Sequence, residues 1–197
     1  MAYTLPVKKS PDTIGAVELT SIARGFVLVD LMVKKAPVEV LDARAVCPGK
    51  FLIVVAGDVA SVEEAVAAAR TAAGTAYFGD LLIPNLSPAV IPAINREVRG
   101  DVGETIGVVE SFSAVATIDA ADAAVKGAEV TVESVNLLDG LGGKAFAVFS
   151  GLLTDVAEAL EAATRRMPDG MLVASEIVPQ FSAELIPFLP GRSGERG

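Results

Sequence analysis

Apolar positions in the first half of the chain follow two spacings, which together predict a small unit of strands and helices. At residues 22–35 they recur every three or four positions, which predicts an amphipathic helix ended by Pro37. Apolar runs bounded by turn-forming residues predict strands at residues 14–19, 38–46, 51–56 and 81–83. The Ser61-Val62-Glu63-Glu64 pattern is typical of a helix start, so a second helix is expected from Ser61 to about Gly74.

The second half of the chain repeats this pattern. Residues 13–18, TIGAVE, return as residues 105–110, TIGVVE, and the helix-start pattern returns at residues 155–158. The Pro48-Gly49-Lys50 turn returns as Gly142-Gly143-Lys144, a spacing of 94 residues against 92 for the first segment, so the second turn is longer. We therefore expect two α+β domains, at residues 13–95 and 104–190, each an antiparallel sheet with helices on one face.

Composition narrows the classes of function. The chain has a net charge of −9 and no run of Lys and Arg that could bind nucleic acid or an anionic membrane. It has no histidine, which excludes His-based acid–base catalysis, Ser-His and Cys-His pairs and His-ligated zinc. No apolar run has the length of a membrane span, and the N-terminal residues lack the apolar core of a secretory signal. A non-enzymatic cytosolic protein is expected, consistent with its single cysteine.

Two turns end in lysine, but neither has the spacing of a phosphate-binding loop. In the second turn, the earlier glycine that such a loop requires would be at Leu138, and Ala145 stands where Ser or Thr binds magnesium. The Pro48-Gly49-Lys50 turn fails in the same way. Both segments are therefore interpreted as hairpin turns.

Cys47 is the residue with candidate chemistry, and two interpretations of it are open. A free cysteine is commonly a small buried apolar residue. Its place directly before a Pro-Gly turn instead favours exposure, and the nearby Lys50 would favour the thiolate form that binds metals. One cysteine cannot hold an iron–sulfur cluster, which usually takes about four thiolates. Only a symmetric oligomer with this turn on its axis could supply them.

Lys34 and Lys126 occupy equivalent positions near the ends of the first helices of the two repeats. A cation there is favourable beside the carbonyl end of a helix, which is one interpretation. The other is a contact at a subunit edge, repeated around a ring of domains. The sequence leaves both open.

These segments resemble a known family. Residues 15–25, 30–34 and 47–52 (GAVELTSIARG, DLMVK and CPGKFL) are similar to bacterial microcompartment shell proteins of the tandem-domain class, and within it to the propanediol-utilisation type. The resemblance covers both repeats. It implies two permuted ferredoxin-like domains, and three chains that form a flat pseudohexameric disc. Such discs tile the facets of a microcompartment shell, which lies in the bacterial cytoplasm.

The resemblance also implies roles for particular residues. In the propanediol type, the Cys47 thiolates of three subunits would bind one 4Fe–4S cluster on the three-fold axis. The turns of both domains would line a central pore through Pro48, Gly49, Lys50, Asp139, Gly140, Leu141, Gly142 and Gly143. Subunit-edge contacts are implied for Lys34 and Lys126, and also at Asn85 and Gln180, where the arginine that the family often carries is missing.

The expected function is that of a structural shell protein whose cluster transfers electrons across the shell. Its expected partners are further copies of itself, other shell proteins and a redox enzyme on one side of the shell. One alternative is a shell protein with a metabolite-conducting pore, lined by Cys47 as a free thiol. A second is a ligand-sensing module of tandem ferredoxin-like domains that binds a small molecule between the repeats.

Overall fold

The computed structural model describes residues 11–138, 140–190 and 192, and it forms two similar α+β domains. The elements of the first domain are β1 (Thr13–Leu19), α1 (Ile22–Lys35), β2 (Glu39–Val46), β3 (Lys50–Ala56), α2 (Val59–Ala73), β4 (Tyr77–Pro84) and α3 (Val90–Ile94). The elements of the second domain are β5 (Thr105–Ser111), α4 (Ala114–Gly127), β6 (Thr131–Asn136), β7 (Ala145–Gly151), α5 (Leu153–Arg166) and β8 (Leu172–Val178). A 3-10 turn at Ala183–Phe188 takes the place of α3 in the second domain.

The two sheets have the same topology. Their strand orders are β2-β3-β1-β4 and β6-β7-β5-β8, and every neighbouring pair is antiparallel. Glu18 on β1 lies opposite Leu52, and its equivalent Glu110 on β5 lies opposite Phe146. Strands β1 and β3 are buried along their whole lengths, which explains why their sequences are almost continuously apolar.

Most of the predicted elements are confirmed, but the second helix of each domain begins earlier than predicted. The first helix has the predicted bounds, but the second begins at Val59 rather than Ser61. Asp58 is its N-cap, because the Asp58 carboxylate accepts a hydrogen bond from the Ser61 amide at 3.0 Å. In the second domain the helix begins at Leu153, so Asp155 lies inside the first turn and does not cap it.

The last strand of the first domain is also longer than predicted. It covers Tyr77–Pro84 rather than residues 81–83, because its first half pairs with β1 despite containing Gly79 and Asp80. Pairing with a buried central strand therefore outweighs the local sequence preference.

The domains differ most in how deeply their first helices are buried. Nine residues of α4 are buried, because β4 and α3 of the first domain also cover it. Only three residues of α1 are buried, and the Phe26 side chain is 64 % exposed. Among the described residues, no helix has the length and apolar character needed to cross a bilayer.

Candidate functional site

Cys47 lies at the tip of the hairpin formed by β2 and β3. Val46 and Lys50 are the last paired residues, so Cys47, Pro48 and Gly49 form the tip. The Gly49 amide donates to the Val46 carbonyl at 2.9 Å, and the φ of +96° at Gly49 favours glycine. The peptide bond before Pro48 is cis. Cys47 is free and exposed, so its predicted exposure is confirmed, while its role as a metal ligand stays a prediction.

The equivalent turn of the second domain lies beside this tip. It joins β6 to β7 and exposes three of the residues predicted to line a pore, Gly140, Leu141 and Gly142. Asp139, predicted to line the pore with them, lies outside the described residues. Gly143 approaches the Pro48 ring so closely that a Cβ on it would lie 2.8 Å from Pro48 Cδ. The two turns therefore touch within one chain.

Lys50, which is predicted to line the pore beside Cys47, lies at the base of the turn and is buried within the chain. Its Nζ donates to Glu18 Oε1 and to the Phe112 carbonyl oxygen, both at 2.7 Å, and lies 3.4 Å from the centroid of the Phe78 ring. The Glu18 side chain is fully buried and also accepts a hydrogen bond from the Ser113 hydroxyl at 2.8 Å. The Lys50 ammonium is thus buried in a polar contact between the two domains.

Sequence reasoning missed this contact between the domains, although one signal was available. Glu18 and Lys50 of the first repeat return as Glu110 and Lys144 in the second. In the second domain the pair is formed at 3.0 Å, but the two side chains are 30 % and 42 % exposed. The repetition of an acid and a base on neighbouring strands indicated an ion pair. The contacts of Phe112 and Ser113 with this pair could not be inferred from either repeat alone.

The two predicted edge lysines each form an ion pair along their own helix. Lys34 contacts Asp30 at 2.6 Å, and Lys126 contacts Asp122 at 2.5 Å. Asp122 is buried and also accepts a hydrogen bond from the Ser87 amide of the first domain at 2.8 Å. The face of α4 that carries Asp122 is therefore covered by the first domain. The equivalent face of α1, which carries Asp30, is exposed.

Asn85 and Gln180 also occupy equivalent places, just beyond β4 and β8. Both are exposed, and both have left-handed backbones, with φ of 56° and 51°. Asparagine tolerates this conformation better than most residues, which suits the turn after Pro84. Their predicted role as subunit-edge contacts stays a prediction.

A cleft of about 300 Å³ lies between β4 and helix α4, where a ligand-sensing module would bind its ligand. Its charged side chains pair with protein groups: Asp119 binds Arg166 at 2.9 Å, and Asp80 binds both Arg70 and the Tyr77 hydroxyl. Partial burial and the Asp80 hydrogen bond raise the pKa of Tyr77 to about 12. These charged side chains are therefore already paired within their own domains, which does not favour the sensing alternative.

No group of three or more Cys, Asp or Glu side chains is gathered as a metal site within the described part of one chain. One chain supplies one thiol, from Cys47. A cluster with cysteine ligands would thus need several chains.

The duplicated sheet and the paired turns show a tandem two-domain protein, and comparison with known proteins identifies its family. The model of the BMC domain family matches residues 13–86 and 105–181. The chain therefore belongs to the bacterial microcompartment shell protein family, in its tandem-domain class. It is a structural component of the microcompartment shell, inside the bacterial cytoplasm, and not an enzyme.

Individual relatives support the same conclusion. The bacterial microcompartment shell protein PduT of Citrobacter freundii is 39 % identical over 85 % of this chain and 91 % of its own length. The carboxysome assembly protein CcmO of Synechocystis is 30 % identical over 92 % of this chain, which spans 65 % of that protein.

Solved structures share the fold. A microcompartment protein of Desulfitobacterium hafniense matches with a TM-score of 0.73 and 36 % identity, covering 89 % of this chain and 98 % of that one. A double-ringed trimeric shell protein of the RMM microcompartment has a TM-score of 0.63 at 19 % identity, covering 83 % of this chain and 86 % of that one. The predicted family, the tandem α+β fold and the absence of enzymatic function are confirmed.

Proposed function

We propose that this shell protein is a homotrimer in which three Cys47 thiolates bind one 4Fe–4S cluster on the three-fold axis, and that the cluster carries electrons across the shell. The observation that carries the proposal is the exposed cysteine at the tip of the first-domain turn, with no cysteine in the second turn. In a ring of three chains, the turns of the first and second domains would alternate around the axis. Three thiols would then surround that axis, as the resemblance to the propanediol-utilisation type implies.

The join between the two domains of one chain supports the trimer. Within the chain, Phe112 and Ser113 of the second domain contact Lys50 and Glu18 of the first. The equivalent residues Thr20 and Ser21 lie at the open end of the first domain, and Glu110 and Lys144 at the open end of the second. A second copy that repeats the internal join would bring the Thr20 carbonyl to Lys144 and the Ser21 hydroxyl to Glu110.

The loop after β4 supports the same arrangement. The Ser87 amide binds Asp122 within the chain, and the equivalents of these residues are Ser182 and the exposed Asp30. In a ring of copies, Ser182 of one chain would bind Asp30 of the next. The Lys34–Asp30 pair would then become the edge contact that the resemblance implies for Lys34.

Exposed apolar side chains lie on the two faces that such a ring would cover. Phe26 on α1 is 64 % exposed, whereas its equivalent Ile118 on α4 is 1 % exposed. Phe188 is 68 % exposed at the other end of the chain, whereas its equivalent Ala93 is fully buried against the second domain. Burial of such side chains is a main source of association free energy. Three two-domain chains, each joined to the next as its own domains are joined, would make a closed six-domain ring.

The cluster itself would be held by Cys47, which is the one cysteine of the chain. Such a cluster usually has four thiolate ligands, so three leave one iron open to water or another ligand. Its chemistry is one-electron transfer, which would give reducing equivalents a route across a shell that retains larger cofactors. A redox enzyme on the lumenal or cytosolic side would donate or accept the electron.

Anaerobic reconstitution with iron and sulfide tests the proposal, with Cys47→Ser as the matched variant. Because Cys47 is exposed, the substitution should leave folding and trimer formation unchanged. The wild type should gain broad visible absorbance and one cluster per three chains, and Cys47→Ser should gain neither. A wild-type trimer that stays colourless would refute the cluster and support the metabolite-pore alternative. An unchanged spectrum in Cys47→Ser would refute the ligand assignment.

A further inference from the structure

We propose that Gly143 is a positioning residue for Cys47: the second-domain turn braces the cysteine-bearing turn through contact with Pro48. This inference rests on the proposed cluster site, and it gives the unlike second turn a role in that site. The second turn then sets where the first turn presents its thiol, although it has no thiol of its own.

The contact is closer than any side chain at residue 143 would allow. A Cβ on Gly143 would lie 2.8 Å from Pro48 Cδ and 3.2 Å from Pro48 Cγ. The φ of Gly143 is +91°, which also favours glycine. Its neighbour Gly142 has a φ of +61°, but a Cβ there would meet nothing within 4 Å.

Pro48 cannot move without moving Cys47. The Pro48 Cδ atom is bonded to the nitrogen of the peptide that joins it to Cys47, so displacing the ring displaces that peptide. The base of the hairpin is held by the Val46–Lys50 pairing and by the buried contact of Lys50 with Glu18. The tip beyond this base therefore takes up the displacement.

A second contact joins the same two hairpins. Arg44 on β2 donates to the Leu137 carbonyl oxygen, at the start of the second turn, at 3.4 Å. This contact and the Gly143–Pro48 contact lie on either side of the second turn, which is the longer of the two. The longer second turn thus contacts the first hairpin near both of its ends.

The expected displacement is larger than the usual spread of metal–ligand distances. Carbon atoms pack at about 3.5 Å or more, so a Cβ at residue 143 would force the two turns about 0.7 Å apart. Metal–ligand distances hold to within about 0.2 Å. On a three-fold axis the displacement would occur in all three subunits, so Gly143→Ala should weaken the cluster site without touching a ligand.

The test compares Gly143→Ala with Gly142→Ala, which also places a side chain at a positive φ but meets no neighbour. The loaded trimers are exposed to an iron chelator, and the loss of visible absorbance is timed. Gly143→Ala should lose its cluster about 10-fold or more faster than the wild type, the range for losing support around a ligand. Gly142→Ala should lose its cluster at the wild-type rate, because its Cβ meets nothing within 4 Å. Equal loss in both variants would overturn the brace, because backbone strain alone would explain it.

A second readout does not depend on the cluster. Hydrogen exchange of the Gly49 amide, which closes the cysteine turn, is measured on the cluster-free protein. It should be faster in Gly143→Ala than in the wild type and in Gly142→Ala. In a Pro48→Ala background, Gly143→Ala should have no further effect. Unchanged exchange in Gly143→Ala would overturn the brace, even if the wild type binds its cluster. A wild type that binds no cluster would refute the proposed function. The exchange measurement would still decide whether the brace exists.

Discussion

Replacing Lys50 by methionine should strongly destabilise the chain. The substitution keeps the length of the side chain but removes the ammonium that binds Glu18 and the Phe112 carbonyl. Glu18 is then left as a buried carboxylate with the Ser113 hydroxyl and the Val115 amide as its remaining donors. Removing one partner of a buried ion pair costs about 3–5 kcal/mol. That is a large share of a typical unfolding free energy of about 5–15 kcal/mol.

Lys144→Met is the matched control, because Lys144 forms the equivalent pair with Glu110. That pair is partly exposed within the chain, so the chain's own stability should fall by no more than about 1 kcal/mol. In the proposed trimer, however, Lys144 also contacts Thr20 of the next copy. Its loss should therefore raise the concentration at which trimers dissociate, whereas the effect of Lys50→Met should not depend on concentration.

Urea unfolding followed by circular dichroism, repeated over a range of protein concentrations, measures both effects. A double-mutant cycle with Glu18→Gln isolates the Glu18–Lys50 interaction from other changes. A Lys50→Met variant within about 1 kcal/mol of the wild type would show that the buried contacts of Lys50 contribute little to stability. A Lys144→Met variant whose loss is the same at every concentration would contradict the repeated join.

Three further substitutions probe other parts of the molecule. Phe26→Asp should give folded protein that elutes as monomer in size-exclusion chromatography, because Phe26 is exposed in one chain; an unchanged trimer would contradict the proposed interface. Gly25→Ala should lower the unfolding free energy by about 1–3 kcal/mol, because its Cβ would overlap the Phe51 ring. Gly57→Ala is the control, because a Cβ there would make only ordinary van der Waals contacts. In ultraviolet titration, Tyr77→Phe should remove a step near pH 12. The pKa of Tyr77 in the folded protein is raised above its usual value of about 10. The neutral phenol therefore adds stability below about pH 10, and this stability is lost as the pH rises to about 12.

Local spacing predicted most of the elements because burial of a strand or a helix face leaves a periodic apolar pattern. The bounds of α1 follow from apolar residues at helical spacing and from Pro37 beyond its end. The start of α2 was mispredicted because two polar residues three positions apart, Asp58 and Ser61, could each be the N-cap. The Asp58 carboxylate, and not Ser61, provides the cap.

Contacts between the repeats could not be predicted, since each depends on residues far apart in sequence. Lys50 follows an exposed turn, and nothing near it in sequence indicates that Phe112 and Ser113 cover its ammonium. The Gly143–Pro48 contact is likewise visible only once both hairpins are placed side by side. The family resemblance supplied the architecture, and the structure supplied these positions.

Equivalent residues of the two repeats, such as Asp30 and Asp122, still give information about contacts between chains. The two residues are identical in type, helix position and lysine partner, yet one is buried and the other exposed. A difference in burial between identical positions marks the face that a neighbouring copy would cover. The contact between the two domains of one chain is thus the template for the proposed contact between chains.

Native mass spectrometry of the anaerobically reconstituted protein tests the central claim most directly, since it reports the number of chains and the bound mass together. We predict a species of three chains carrying the mass of one 4Fe–4S cluster, and a cluster-free trimer for Cys47→Ser. Trimers of the wild type without that mass, a cluster carried by single chains, or the same added mass in Cys47→Ser would contradict it.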